Sequence, residues 1–200
     1  MRRPLVSAVA LYALGVVTLA AGQQVHLKRD ADSFDKKLTV MLERGASTVV
    51  APRTLRTTIT EAEINSYLKF QGAEVLPVGV VNPNITIFDT VRVGGTASVD
   101  MDAVRKSKDR AWSDPLAYVS GIVEIRVAGK LKTANGSGTF ELESATLGGV
   151  PIPKAFLQAV VGYYTTTPDL PSGFNLDSTF TLPQRIQQVN LQRGSAVIVQ

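Results

Sequence analysis

Cysteine is absent from this 200-residue chain. Disulfides, thiol nucleophiles, iron–sulfur clusters and thiolate-held zinc are therefore excluded. Histidine occurs once, at His26, ahead of the expected folded region. A multi-histidine metal centre is ruled out, and a Ser-His-Asp triad has almost nothing to draw on. Charge is also sparse. Charged residues make up 19% of the chain, below the usual level of about a quarter. The net charge of +4 comes from 21 Lys and Arg against 17 Asp and Glu. Two of the cations, Arg2 and Arg3, sit in the leader, and the rest are scattered. This does not make a nucleic-acid footprint. No G-x-S-x-G elbow, phosphate-binding glycine loop or calcium-loop spacing occurs. The expectation is a non-enzyme with no cofactor, no metal and no nucleic-acid partner.

The one long apolar run is at the start, MRRPLVSAVALYALGVVTLAAGQQ. Arg2 and Arg3 form a basic opening, Pro4 to Ala21 carries no charge, and small residues close the run. That pattern fits a signal peptide or a retained membrane anchor over residues 1–22. Either reading places the body outside the cytoplasm, with the arginines on the cytoplasmic side. The expected location is the periplasm, free or anchored to the inner membrane and facing the periplasm, or alternatively outside the cell. Residues 23–32 read as a tether and residues 33–200 as a single α+β domain preceded by the N-terminal apolar helix.

Within the body, Ser33 to Arg44 carries Phe34, Leu38, Met41 and Leu42 at helical spacing. Val49 to Ile59 reads as a strand. Thr60-Glu61-Ala62-Glu63 is a capping box, and the helix it opens has Ile64, Tyr67 and Leu68 as its expected buried stripe. From Val75 the period becomes two. Residues 84–93 and 96–103 alternate as strands, with Asp89 standing where an apolar residue belongs and read as a bulge. Tyr118 to Leu147 is a long hairpin around Asn135-Gly136. Long alternating arms favour strong twist or curvature. Pro153 opens a second helix with Phe156, Leu157, Val160, Val161 and Tyr164 on a wide apolar face. Arg193-Gly194 is the expected turn of a final hairpin.

Two pairs of carboxylates stand on strand faces, Asp100 with Asp102 and Glu141 with Glu143. Such pairs can serve acid/base chemistry or a hard cation, but alternating charge is also the ordinary composition of a solvated sheet face. The loop with Arg105, Lys106, Lys108, Arg110 and Trp112 offers cations next to an aromatic. It reads either as a solvated loop or as a contact for anionic membrane headgroups.

The geometry these elements imply is a long, highly curved antiparallel sheet wrapped around amphipathic helices. Such a sheet closes a filled core or leaves a lengthwise apolar groove. Gly121, Gly129, Ala97 and Ala103 on inward positions leave room for an acyl chain or for close packing. The residues expected to line a groove are Ile64, Leu68, Val123, Ile125, Phe140, Phe156, Leu157 and Val160. A groove of this kind gains about 0.8 kcal/mol per buried methylene.

The segments TEAEINSYL at 60–68 and GVPIPKAFLQAV at 149–160, with Gly148 before it and the strands between them, resemble exported bacterial proteins of uncharacterised families similar to the tubular lipid-binding (BPI-like) superfamily. Glu61, Glu63 and Asn65 match the helix-start signature, and Pro151 and Pro153 match the entry to the later helix. The resemblance implies a half-barrel that binds or shuttles a lipid or other apolar ligand in the cell envelope, without catalysis. The alternative is a non-catalytic envelope scaffold or protein-interaction module with a filled core, whose partner is an envelope protein or a second copy.

Overall fold

A computed structural model describes residues 27–47, 53–72, 76–107, 119–166 and 171–200. The elements run α1 (Lys28–Ala46), β1 (Arg56–Thr60), α2 (Glu61–Phe70), β2 (Val80–Ile87), β3 (Arg92–Asp100), α3 (Met101–Ser107), β4 (Ile122–Ala134), β5 (Ser137–Leu147), β6 (Val150–Pro151), α4 (Lys154–Thr165), β7 (Phe180–Thr181), β8 (Gln188–Gln192) and β9 (Ser195–Val199). The strands form two antiparallel sheets. One has the order β1-β9-β8; the other has the order β2-β3-β4-β5-β6, with β7 also pairing β5.

Local chemistry builds several elements as the residues prescribe. The capping box forms: the Thr60 hydroxyl accepts from the Glu63 amide at 3.2 Å, and Glu63 accepts from the Thr60 amide at 2.9 Å. Asn135 and Gly136 both take positive φ, 50° and 76°, and turn β4 into β5. Gly194 at φ 72° turns β8 into β9. Pro153 stands in the N-cap position of α4, where its missing amide is harmless. Asp89 marks no bulge. Its carboxylate accepts from the amides of Val91 and Arg92 at 2.9 and 2.8 Å, so it ties the turn between β2 and β3. The alternating segment 96–103 breaks at Met101, because the Asp100 carboxylate accepts from the amides of Asp102 and Ala103 and starts α3.

The larger sheet neither closes nor curls around helices, which corrects the expected architecture. The physical reason lies in what covers each part of it. One stretch is met by the smaller sheet: Ile87, Leu191 and Ala196 form a buried cluster joined by Ile64, Val93, Leu131 and Val189. The Thr133 hydroxyl bridges the sheets, donating to the Val189 carbonyl at 3.0 Å and accepting from its amide at 2.8 Å. Another stretch is met by α4 and the segment after it, through Ala145, Leu157 and Leu176 with Val127, Leu142 and Phe174. A sheet packed against a second sheet and a surface helix has no helix to wrap. Space beside two of the strand glycines is also filled. A Cβ on Gly129 would lie 2.5 Å from the Phe140 ring, and one on Gly138 would lie 2.6 Å from the Phe180 ring. Gly121 opens β4 at φ 74° and serves a turn.

Helix α2 departs furthest from its hydrophobic pattern. Its fully buried side chains are Asn65 and Ser66, and Glu63 is nearly so, while Ile64, Tyr67 and Leu68 are half-buried. The helix meets the larger sheet at its edge strand. Asn65 Nδ2 donates to the Ile85 carbonyl at 2.8 Å, and its Oδ1 accepts from the Ile85 amide at 2.7 Å. Glu61 accepts from the Ile87 amide at 2.7 Å. The Ile87 carbonyl accepts from the Gly194 amide at 2.9 Å. Ser66 Oγ accepts from the Leu27 amide at 3.2 Å, just ahead of α1.

Glu63 joins α1 to α2. Lys37 Nζ donates to its two oxygens at 2.6 and 2.8 Å, and the Ser33 hydroxyl donates at 2.5 Å. Burial by itself pushes the Glu63 carboxyl up; the bonds from Lys37, Ser33 and the Thr60 amide outweigh it and hold the group below its ordinary 4.5.

Two outcomes follow for stability. Replacing Asn65 by Leu strands the Ile85 amide and carbonyl in a buried setting and is expected to cost about 2–4 kcal/mol, measured by urea unfolding. A loss under about 0.5 kcal/mol would contradict the assigned bonds. Because the Glu63 carboxyl has a lowered value in the folded chain, its contribution is full above the unfolded value and is lost as pH falls through the folded one. Urea midpoints from about pH 7 to about pH 3 are therefore expected to fall less steeply in Glu63→Gln than in the parent. Identical slopes would exclude Glu63 as a contributor.

Candidate functional site: an open strand edge beside a basic cleft

Strand β1 is an outer strand of the smaller sheet. Leu55 and Gln200 exchange both backbone bonds, at 2.9 and 3.0 Å. Antiparallel alternation then directs the polar backbone groups of Thr57 and Ile59 toward β9 and those of Arg56, Thr58 and Thr60 outward. The outward groups of Thr60 and Thr58 are partly used. The Thr60 amide donates to Glu63, and the Thr58 carbonyl accepts from Lys37 Nζ at 2.8 Å. The amide and carbonyl of Arg56 and the amide of Thr58 have no partner among the described residues.

This open edge forms one wall of a cleft of about 480 Å3. Lys36, Lys37 and Val40 of α1 line it from one side, and Arg56, Thr57 and Thr58 of β1 from the other. Three of these six residues are cations and none is a carboxylate. Lys37 is neutralised by Glu63. Arg56 and Lys36 are exposed and make no ion pair among the described residues. The nearby Asp32 carboxyl is held below its usual value chiefly by Lys28, against the effect of burial, with smaller help from Gln71 and Lys36. Val40 is 50% exposed. The cleft thus offers backbone donors and an acceptor, two available cations and one apolar contact.

Other features are structural. Asp102 pairs with Arg105 and accepts from the Gly121 amide at 3.3 Å. Glu143 takes Arg92 at 2.8 Å and Lys130 at 3.4 Å, and Glu141 faces Lys132 at 4.0 Å. Arg92 and, against burial, Lys130 hold the Glu143 carboxyl below its usual range. Among the described residues no group of three or more His, Cys, Asp or Glu side chains could hold a metal. A second cavity of about 590 Å3 lies between the end of α2 and the start of β2, with Leu68, Leu76, Val78, Val81 and Asn84 in its walls.

The residues expected to line one apolar groove are distributed among different packing sites. Ile64 joins the inter-sheet cluster, Leu68 borders the 590 Å3 cavity, and Leu157 is buried with Ala145 and Leu176. Phe140 covers Gly129. Val123 and Ile125 are half-buried on β4, as are Phe156 and Val160 on α4. No lipid groove is formed among the described residues, and the expected lipid-binding role is corrected on that ground. The membrane-contact loop is also altered. Arg105 lies on α3 with its guanidinium on Asp102, Lys106 is exposed at the end of α3, and Lys108, Arg110 and Trp112 lie outside the described residues. Among the described residues no helix is long and apolar enough to cross a membrane, so none of the described helices supplies the expected anchor. The apolar run 1–22, on which the signal or anchor reading rests, lies outside the described residues.

Sequence reasoning passed over Lys36 and Arg56, which are separated by the end of α1 and the approach to β1 and meet only in space. It also passed over the role of Asn65. A signal for that role was present, because Glu61 and Asn65 are four apart and share a helix face.

No model of a known protein family matches this chain, and no curated protein matches it.

Hydrogen exchange checks the contrast between the two edges. The Arg56 and Thr58 amides are expected to exchange at least about a hundredfold faster than those of Ile85 and Ile87. Comparable protection at the four sites would mean that the β1 edge is covered.

Proposed function

We propose that this chain is a non-catalytic protein-interaction module that recognises its partner through the outer edge of β1. The observation that carries this reading is the set of three backbone groups on Arg56 and Thr58, without a partner among the described residues, beside an open cleft. Unpaired strand edges are templates for added strands, and native sheets usually cover them. In this chain the β2 edge is covered by α2 and the turn at Gly194, whereas the β1 edge stands beside an open cleft. The filled spaces beside Gly129 and Gly138 favour a packed scaffold over a container.

A panel of octapeptides with high strand propensity and different charge, added to the full-length chain at about 1 mM, tests the reading. At least one member is expected to slow exchange of the Arg56 and Thr58 amides and to shift their resonances. If every member leaves both amides unchanged, the β1 edge is not a recognition surface.

A further inference from the structure

We infer that the segment recognised at this edge is an extended one carrying acidic side chains, bound as a strand added to β1. The inference rests on the interaction role proposed above and adds the chemistry of the partner. An added strand lies about 4.8 Å from β1. Its backbone supplies an acceptor for the Arg56 and Thr58 amides and a donor for the Arg56 carbonyl. The residue opposite Arg56 then has its Cβ about 5 Å from that of Arg56, within reach of a cross-strand ion pair. Lys36 stands on the α1 side of the same cleft and meets a carboxylate further along the segment. Lys37 contributes differently. Glu63 already holds it, and its bond to the Thr58 carbonyl fixes α1 against the strand. Val40 provides a place for an apolar side chain between the acidic ones.

The division of labour follows from magnitudes. Exposed ion pairs contribute little each, so the backbone bonds supply most of the affinity and the cations select the sign of charge. Acidic segments are preferred because no lining carboxylate repels them, whereas basic segments meet Lys36 and Arg56 directly.

Three labelled octapeptides, alternating Val with Glu, Thr or Lys, are titrated with the full-length chain and followed by fluorescence anisotropy. The acidic peptide is expected to bind with a Kd on the order of 100 μM and at least about threefold more tightly than the neutral one. The basic one is expected not to bind. Arg56→Glu and Lys36→Glu should each weaken acidic binding by about three- to tenfold, whereas Lys132→Glu, on an exposed strand position away from the cleft, should not. Methylating alternate backbone nitrogens of the acidic peptide should abolish binding. Circular dichroism confirms that the variants are folded. Equal binding of the acidic and neutral peptides, lost on methylation, would overturn the acidic preference and leave the edge reading standing. Acidic binding that ignores both Arg56→Glu and methylation would overturn the strand-addition mode. Absence of binding by all three peptides would overturn the inference together with the reading beneath it.

Discussion

Asn65 occupies the place of a missing strand. By giving one bond to the Ile85 carbonyl and taking one from the Ile85 amide, its carboxamide imitates the backbone of a neighbour in a sheet. Glu61 continues the imitation one pair further, at the Ile87 amide, and Gly194 closes the Ile87 carbonyl. The smaller sheet, the second helix and the larger sheet all meet at that edge. Asn65 is completely buried, so its bonds form where an unpaired amide or carbonyl would be costly. The strand–helix junction at Thr60 matters for the same reason: the capping box sets where α2 begins and hence which residues face Ile85.

Glu63 shows how a second buried polar group is used. A carboxylate taken out of water is stabilising only when its lone pairs are satisfied. Glu63 has Lys37, Ser33 and the Thr60 amide. The same lysine reaches the Thr58 carbonyl, so one cluster fixes α1, α2 and β1 together. Among the described residues it leaves the outward groups of Arg56 and the Thr58 amide unclaimed. The open groups of Arg56 and Thr58 are what remains after the cluster has taken Thr58 and Thr60. The covered β2 edge and the partly open β1 edge are thus both consequences of how α2 and its neighbour α1 use their polar residues.

The expected curled sheet fails at an identifiable step. Alternation along β4 marks Val127 and Leu131, which both join buried clusters, but in β5 the pairing register shifts and the buried Ala145 falls out of phase with Leu142. Alternation carries no information about what such residues face. Val93 and Leu131 meet residues of a second sheet, and Val127 and Leu142 meet α4 with the segment after it. An apolar stripe on a strand reads the same whether a helix, a sheet or a ligand lies across it. For α2, amphipathic spacing pointed to Ile64, Tyr67 and Leu68. Full burial fell instead on Asn65, which docks on the backbone of an edge strand, and on Ser66, which meets the Leu27 amide ahead of α1.

The sequence by itself determined the features that depend on neighbours along the chain: the capping box at Thr60, the turns at Asn135-Gly136 and Arg193-Gly194, the proline-led start of α4, and the alternation of the long strands. Each is settled within a few residues by φ restriction, local hydrogen bonding or side-chain direction. Only the tertiary structure decided that Asn65 meets Ile85, that Lys37 meets Glu63 and Thr58, and that Lys36 comes to face Arg56 across a cleft. Those pairings join residues about twenty or more apart in the chain. No local rule selects them, because they are chosen by which buried polar groups can all be satisfied at once.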